Sequence, residues 1–199
     1  MVSMHPYEPY IPHGATKLII GTIPPYRFCI VPQELHDDDV NFYYGSCDNS
    51  FWKLLSGITK IELPLVNTEK AIEQRKNILN NLKTGIMDII KCCEHKNQKS
   101  DDGSLKNIAH KPLNELLLDY PSIKTLIYTS DFVKTQINKI ADKNYHNWTN
   151  KSERKCTTII NGQQYNVIIL YSPSPNALRG VDAKRRLEQY KTVFENIAT

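Results

Sequence analysis

The stretch Lys17–Phe28, KLIIGTIPPYRF, joins a short apolar run to a turn that holds two consecutive prolines. The run KLIIG is typical of a strand that is buried on both faces of a parallel sheet. Loops that follow such strands often carry the chemistry of α/β proteins. The turn GTIPP contains no acidic or basic side chain and no glycine pattern that would bind phosphate. If this turn borders an active site, other parts of the chain must supply the reactive groups.

Two further apolar segments predict more buried strands. Ile123–Ser130 (IKTLIYTS) is one of them. Residues 156–172 form the other as a hairpin, because Asn161-Gly162 favours a type I′ turn. We expect Lys17–Gly21, Ile123–Tyr128 and Val167–Tyr171 to be neighbouring parallel strands. The loops at their carboxyl ends would then line one pocket.

Helical patterns lie between these strands. Residues 49–58 predict a helix capped by Asn49, and residues 68–85 predict one that begins at the cap Thr68 and stops at Gly85. Further helices are expected at residues 111–120, 131–142 and 181–197. The alternation predicts an α/β fold: a three-layer α/β/α sandwich around a central, mostly parallel four-stranded sheet. We expect a single domain over residues 1–199, with an extended segment at 1–15.

Composition and cysteine usage narrow the classes of protein. The 199 residues are 40% hydrophobic and 23% charged, and the net charge of +4 permits a polyanionic partner without requiring one. An odd number of cysteines without a CxxC spacing argues against a disulfide framework and against a zinc or iron–sulfur site. The five are Cys29, Cys47, Cys92, Cys93 and Cys156. We therefore expect a cytoplasmic protein with no metal, no cofactor, no signal peptide and no membrane-spanning segment.

Three segments at predicted strand ends stand out. They are GTIPP, the stretch Phe42–Leu55 (FYYGSCDNSFWKLL) and the stretch Ser172–Gly180 (SPSPNALRG). Each also has a purely structural interpretation. The Ser-Pro-Ser-Pro turn can be a rigid connector, and the aromatic residues before Asn49 can be a hydrophobic staple beside an ordinary helix cap.

Taken together and in this order, the three segments resemble the motifs of the uracil-DNA glycosylase superfamily. GTIPP resembles its first motif, GINPG or GQDPY, and SPSPNALRG resembles its second, HPSPLS or NPSGLS. YGSCDNSFW is similar to the AHPxNxFW segment of the mismatch-specific and hypoxanthine-acting branches. The stretch Leu82–Asp102 resembles the family's Gly-Ile-x-Asp stretch with its later Ser-Asp. The resemblance spans roughly residues 17–194.

The resemblance implies a monofunctional DNA glycosylase of base-excision repair. Enzymes of this superfamily flip a damaged base out of the duplex and hydrolyse its N-glycosidic bond. For this chain the implied substrate is a deaminated or mismatched base, uracil or hypoxanthine. The implied partner is double-stranded DNA, bound by a monomer without a cofactor.

The resemblance also assigns candidate residues. Asn49 matches the Asn of the NxFW segment and is the catalytic candidate. Tyr44 is the candidate stacking platform for the base, although it can equally be a core aromatic. The base pocket is expected to comprise Gly21, Thr22, Ile23, Pro24, Phe28, Tyr44 and Ser172. The candidates for DNA contact or for a wedge in the duplex are Ser174, Asn176, Leu178, Arg179 and Arg185.

Several positions depart from the family pattern. Ile23 stands where the first motif has an Asn or Asp that handles the catalytic water, and an apolar side chain cannot do that. Ser172 replaces the leading His or Asn of the second motif, and Asn176 replaces its leucine wedge, so Leu178 or Arg179 would have to fill the duplex. Ser46 and Cys47 replace the His-Pro of the AHPxN segment. Asp88 and Asp101 are the remaining acids in the matched stretches.

Basic residues follow the second motif directly. Arg179, Lys184, Arg185 and Arg186 would face DNA phosphates in a glycosylase. They can also be the solvated face of an amphipathic helix. Two other functions therefore stay open. One is a catalytically silent superfamily member that binds nucleic acid or a nucleobase, and the other is a hydrolase of free nucleosides.

Overall fold

The computed structural model describes residues 2–99, 101–141, 146–175, 177 and 182–195. The strands within these residues are β1 Val2–Met4, β2 Lys17–Gly21, β3 Thr84–Asp88, β4 Ile90–His95, β5 Leu105–His110, β6 Thr125–Tyr128, β7 Asn147–Asn150, β8 Lys155–Ile160 and β9 Gln163–Ile169. The helices are α1 Phe51–Thr59, α2 Glu69–Asn81, α3 Leu113–Asp119, α4 Asp131–Ile137 and α5 Ala183–Phe194. Short 3-10 turns occur at Tyr26–Phe28, Lys96–Gln98 and Asp102–Ser104.

The larger sheet has the strand order β3-β2-β6-β9-β8-β7. The first four strands are parallel neighbours, and Ile19 at the centre of β2 lies opposite Ile86 and Ile127. The expected pairing of β2 with β6 and of β6 with β9 is therefore present. The expected four-stranded sheet is too small, because β8 and β7 extend it in antiparallel fashion. The sequence NWTN of β7 lacks an apolar pattern and gave no strand signal.

Helices cover both faces of this sheet. Side chains alternate along β2, so that Leu18 and Ile20 point into a core formed with α3 and α4. Ile19 points into the opposite core, formed with α1, α2 and α5. This arrangement is the mixed α/β architecture that the alternating pattern predicts. None of the helices within the described residues is long and apolar enough to span a membrane.

The amino-terminal segment packs against the sheets. β1 pairs with β4 in a second, antiparallel sheet of order β1-β4-β5. Tyr10 bridges to Ile86 of β3 through two backbone hydrogen bonds of 3.0 and 2.8 Å. This segment thereby brings His5 to the carboxyl end of β3.

Some helix boundaries differ from those expected. Thr68 caps α2 as predicted, accepting the N–H of Ala71 at 3.2 Å. Gly85 does not stop that helix, which ends at Asn81, but lies inside β3. The helix that begins at Asp131 ends at Ile137, several residues earlier than its pattern predicts.

A buried ion pair holds the long loop between β2 and α1. Asp39 is fully buried and accepts from Arg27 Nε at 2.7 Å and Nη2 at 2.9 Å. The N–H groups of His36 and Cys47 also donate to its carboxylate, each at 2.9 Å. Arg27 reaches Ser46 as well, at 2.9 Å. One carboxylate therefore ties together the beginning, middle and end of the loop.

Gly21 ends β2 beneath two side chains that approach its backbone. A Cβ atom at this position would lie 2.1 Å from Asp88 Oδ1 and 2.1 Å from the Tyr44 hydroxyl oxygen. Both groups are held in place, since Asp88 Oδ2 lies 2.9 Å from His5 Nε2 and the Tyr44 hydroxyl lies 2.9 Å from Thr129 Oγ1. The glycine therefore allows the ends of β2 and β3 and the Tyr44 ring to converge.

We predict that Gly21→Ala destabilises the protein by about 2 kcal/mol, the usual cost of overpacking a filled site. Gly57→Ala is the matched control, because Gly57 is exposed on α1 with open space around its Cα. That change should raise the free energy of unfolding by about 0.5–1 kcal/mol through helix propensity. Urea unfolding of the wild type and both variants measures these changes in the free energy of unfolding. Equal stability of Gly21→Ala and the wild type would contradict the packing described.

We predict that the buried ion pair makes stability sensitive to acid. Burial alone raises the pKa of Asp39, but the hydrogen bonds from Arg27 and from backbone amides outweigh it and lower the pKa to about 2. The folded state therefore prefers the carboxylate. Its contribution to stability is complete above about pH 4, near the pKa of an unfolded Asp, and is lost as the pH falls toward 2.

Asp39→Asn tests this contribution. The variant should lose about 3 kcal/mol at pH 7, because it leaves the Arg27 charge without its partner. Its unfolding free energy should also vary less than that of the wild type between pH 4 and pH 2. Parallel pH curves for the two proteins would show that Asp39 is not the group responsible.

Candidate active site

A cavity of about 430 Å³ opens at the carboxyl ends of the parallel strands. Its walls come from the loops after β2, β6 and β9, the end of β3, the segment before α1, and the turn before β5. Of the residues predicted from the sequence, those that line it are Thr22, Ile23, Pro24, Phe28, Tyr44, Asn49, Ser172 and Ser174. Gly21 lies beneath the floor. The other candidates, Asn176, Leu178 and Arg179, are outside the described residues, and Arg185 lies on α5.

Tyr44 is fixed in the cavity wall by contacts on one face and at its hydroxyl. Its ring stacks on Phe51 of α1, with centroids 4.4 Å apart and an angle of 27° between the planes. Its hydroxyl shares a hydrogen bond with Thr129 at the end of β6. Burial raises the pKa of this phenol well above its ordinary value, so it stays neutral. The residue has a positive φ of 54°, which places an unusual backbone conformation directly at the site.

Asn49 precedes α1, but it is not the cap residue. Ser50 occupies that position, and its own hydroxyl donates to the carbonyl oxygen of Pro173 at 2.8 Å. The Asn49 side-chain oxygen instead accepts the N–H of Phe51 at 2.9 Å. Within the described residues, no protein group accepts from the side-chain NH₂ of Asn49. The helix start is therefore tied to the Ser-Pro-Ser-Pro turn while this NH₂ remains available to a ligand.

The turns after β2 and β9 contribute few polar side chains. Ile23 lines the cavity and also packs against the core that contains α3 and α4. Ser172 accepts the N–H of Ser174 at 3.2 Å, which leaves its hydroxyl hydrogen free to donate. The first of these turns thus shapes the cavity without a group that could handle water.

A buried carboxylate at the end of β3 is supported by two residues that the sequence did not single out. Asp88 lines the cavity, and its partner His5 is almost completely buried. Lys111 Nζ lies 3.0 Å from His5 Nδ1 and 2.7 Å from the carbonyl oxygen of Tyr7. The Tyr7 N–H also points at Nδ1, at 3.1 Å. The Tyr7 carbonyl oxygen also lies 2.9 Å from Nδ1, so this nitrogen has both donors and an acceptor as neighbours. A carboxylate can only accept, so Nε2 carries the proton that is donated to Asp88.

A second carboxylate, Asp102, was also missed by sequence reasoning. It begins the 3-10 turn Asp102–Ser104, lines the cavity and is half-buried. Burial raises its pKa to about 6, the Thr22 hydrogen bond opposes this rise, and the charges of Asp101 and Asp88 add to it. The sequence motif directed attention to Asp101, which is the more exposed of the adjacent pair.

The late basic residues do not form one surface. Arg185 is exposed, and its guanidinium lies 5.3 Å from the centroid of the Tyr171 ring. The guanidinium of Arg154 lies 4.9 Å from the same centroid. Arg186 is instead buried and donates to the carbonyl oxygen of Ala177 at 3.3 Å. The expectation that Arg186 belongs to a solvated or phosphate-facing group is therefore wrong. Lys184 is exposed.

Among the residues that the structure describes, one group of side chains has donor atoms close enough to hold a metal ion. His36, Asp39 and Cys47 place one such atom each within 4.8 Å of the others. Both oxygens of Asp39 already accept hydrogen bonds from Arg27. A cation here would have to displace that guanidinium, so the donor set fits the ion pair better than a metal. All five cysteines are free thiols.

Comparisons with known proteins agree with this architecture. No protein-family model matches the chain, and no curated protein matches it. The structure is similar to the solution NMR structure of a candidate uracil DNA glycosylase from Methanosarcina acetivorans. The TM-score is 0.64 at 16% sequence identity, and the similarity covers 100% of both chains. The chain therefore shares the mixed α/β fold of that protein over its whole length.

Proposed function

We propose that the protein is a monofunctional DNA glycosylase of the uracil-DNA glycosylase superfamily. Its substrate would be a flipped deaminated or mismatched base, uracil or hypoxanthine. The observation that carries the proposal is the cavity at the strand ends, where Tyr44, Asn49 and the Ser-Pro-Ser-Pro turn meet. The fold shared with a candidate uracil DNA glycosylase supports it.

The cavity wall suits a flipped base. Extruding a base costs a few kcal/mol of lost pairing and stacking, and stacking on an aromatic ring returns about 1–3 kcal/mol. Tyr44 is the proposed platform because Phe51 and Thr129 already fix its ring, so little further ordering is required. Phe28, another aromatic residue of the wall, is the second candidate platform. Hydroxyl groups such as that of Ser172 would satisfy the edge of the base.

Asn49 is the proposed residue for orienting water or the nucleotide. Its side-chain oxygen is anchored by Phe51, which fixes the orientation of the amide and directs the free NH₂ group. An amide is not a general base, so this residue positions a reactant rather than taking its proton.

Double-stranded DNA is the proposed partner, bound by a monomer. Ser174 at the cavity rim and the exposed Arg185 on α5 are the proposed contacts to the DNA backbone among the described residues. Asn176, Leu178 and Arg179 remain candidates for DNA contact, with Leu178 or Arg179 as the proposed wedge. Five free thiols suit a reducing compartment such as the cytoplasm.

A catalytically silent protein that binds nucleic acid or a nucleobase is the second candidate. Ile23 favours it, because this side chain packs against the core at the position where a water-handling group would be needed. The two candidates differ in one observable, which is whether any base is released.

We predict that the protein releases a base from duplex oligonucleotides carrying uracil, hypoxanthine or a mismatch, detected as alkali-labile sites. Asn49→Ala should lower the single-turnover rate by about 100-fold or more with DNA affinity retained, because a positioning group acts mainly on the transition state. The lost hydrogen bond to Phe51 should cost only about 1 kcal/mol, so thermal melts should show a folded protein.

Asn166→Ala is the matched control. Asn166 is exposed on β9 and lies opposite Thr125, the first residue of β6, whereas the cavity opens at the other end of β6. It should keep the wild-type rate. Release of a base that survives Asn49→Ala unchanged would reduce Asn49 to a structural residue. DNA binding without release of any base would favour the silent protein.

A further inference from the structure

The acids of the cavity differ in how their charges are balanced. Asp48 lies 3.7 Å from Arg27, and Asp88 is bound by His5. Asp101 is exposed to solvent. Asp102 lines the cavity, is half-buried, and forms no ion pair within the described residues. It is therefore the partly buried carboxylate of the cavity whose charge is left without a cation in that part of the chain.

Hydrolysis of an N-glycosidic bond needs such a group. The sugar develops positive charge as the bond to the base breaks, and a nearby carboxylate stabilises this charge. The attacking water must also lose a proton to a base. Ile23 can do neither, and the amide of Asn49 cannot take a proton.

We propose that Asp102 is the catalytic carboxylate of this cavity; the assignment rests on the proposed glycosylase function. The bond between C1′ and the base breaks, and its electron pair leaves with the base. The water oxygen bonds to C1′ while Asp102 accepts a proton from that water. Transfer of a proton to the departing base then leaves free base and a sugar with a 1′-hydroxyl group.

The geometry places this carboxylate beside the turn that lacks one. Asp102 lines the same cavity as Thr22 and Ile23, and Ile23 stands at the position where the resemblance expects an acid or amide. The Thr22 hydroxyl is near enough to lower the pKa of Asp102. The group comes from the turn before β5 rather than from the turn after β2. In this way the cavity keeps a water-handling side chain although its first motif is apolar.

The electrical surroundings suit a general base near neutral pH. The charged groups that face Asp102 are Asp101 on the same turn and Asp88 at the end of β3, with His5 and Lys111 behind Asp88. Together with burial, the two acids raise the pKa of Asp102 to about 6 against the effect of Thr22. The rate should therefore rise with pH through about 6 and then level off, because the carboxylate is the active form.

The test compares Asp102→Asn with its neighbour Asp101→Asn on the lesion that the wild type removes fastest. Asp102→Asn should lower the single-turnover rate by about 100- to 10,000-fold. It should also abolish the rise in rate near pH 6, which is the limb of the pH profile that Asp102 produces. Its affinity for DNA should be equal or tighter, since a negative charge is removed. Asp101→Asn should keep the rate reached at high pH but move the rise in rate to lower pH, because the charge of Asp101 that raises the pKa of Asp102 is lost. Thr22→Val should move the limb to higher pH, because the hydrogen bond that lowers the pKa is lost, and Thr22→Ser should restore it.

The results separate this assignment from the proposed function. A folded Asp102→Asn protein that retains the wild-type rate and pH limb overturns the role of Asp102 and leaves the glycosylase intact. A wild type that binds DNA but releases no base from any lesion overturns both. A parallel loss of rate and melting temperature in Asp102→Asn, with the pH limb unchanged, would show a structural residue and also overturn the assignment.

Discussion

The close approach of Asp88 and Tyr44 over Gly21 is the constraint on which the cavity depends. Without a side chain at Gly21, the carboxyl end of β2 lies directly beneath both groups. His5 holds Asp88 from the amino-terminal segment, and Thr129 holds Tyr44 from the end of β6. Three parallel strands and the chain's first residues are thus joined at one point. The cavity floor is rigid because every member of this contact is bound on its far side.

The walls are set by two connections that span the sequence. Asp39 binds Arg27 and two backbone amides, and this closes the long loop that carries Tyr44 to Asn49. Ser50 binds the carbonyl oxygen of Pro173, which joins the start of α1 to the loop after β9. Preorganised walls of this kind lower the free-energy cost of ordering the site when a nucleotide binds.

Local patterns predicted the architecture, and long-range contacts decided the chemistry. The buried runs of β2 and β6, the Asn161-Gly162 turn and the Thr68 cap follow from residue types alone. β7 could not be found, because its exposed NWTN sequence pairs only through β8. The support of Asp88 by His5 joins residues 83 positions apart, which no spacing rule reveals. Asp101 and Asp102 are chemically identical, and only the fold decides which of the two carboxyls is partly buried. Ser50, rather than Asn49, is the cap residue of α1 for the same reason.

The most direct measurement is a crystal structure of the protein with duplex DNA that carries a lesion on a 2′-fluoro sugar, which resists cleavage. The account predicts that the flipped base lies against the Tyr44 ring, and that Asn49 and Asp102 reach the water or the sugar at C1′. A duplex bound with all its bases stacked and the cavity empty, or bound to a different face of the protein, would contradict it.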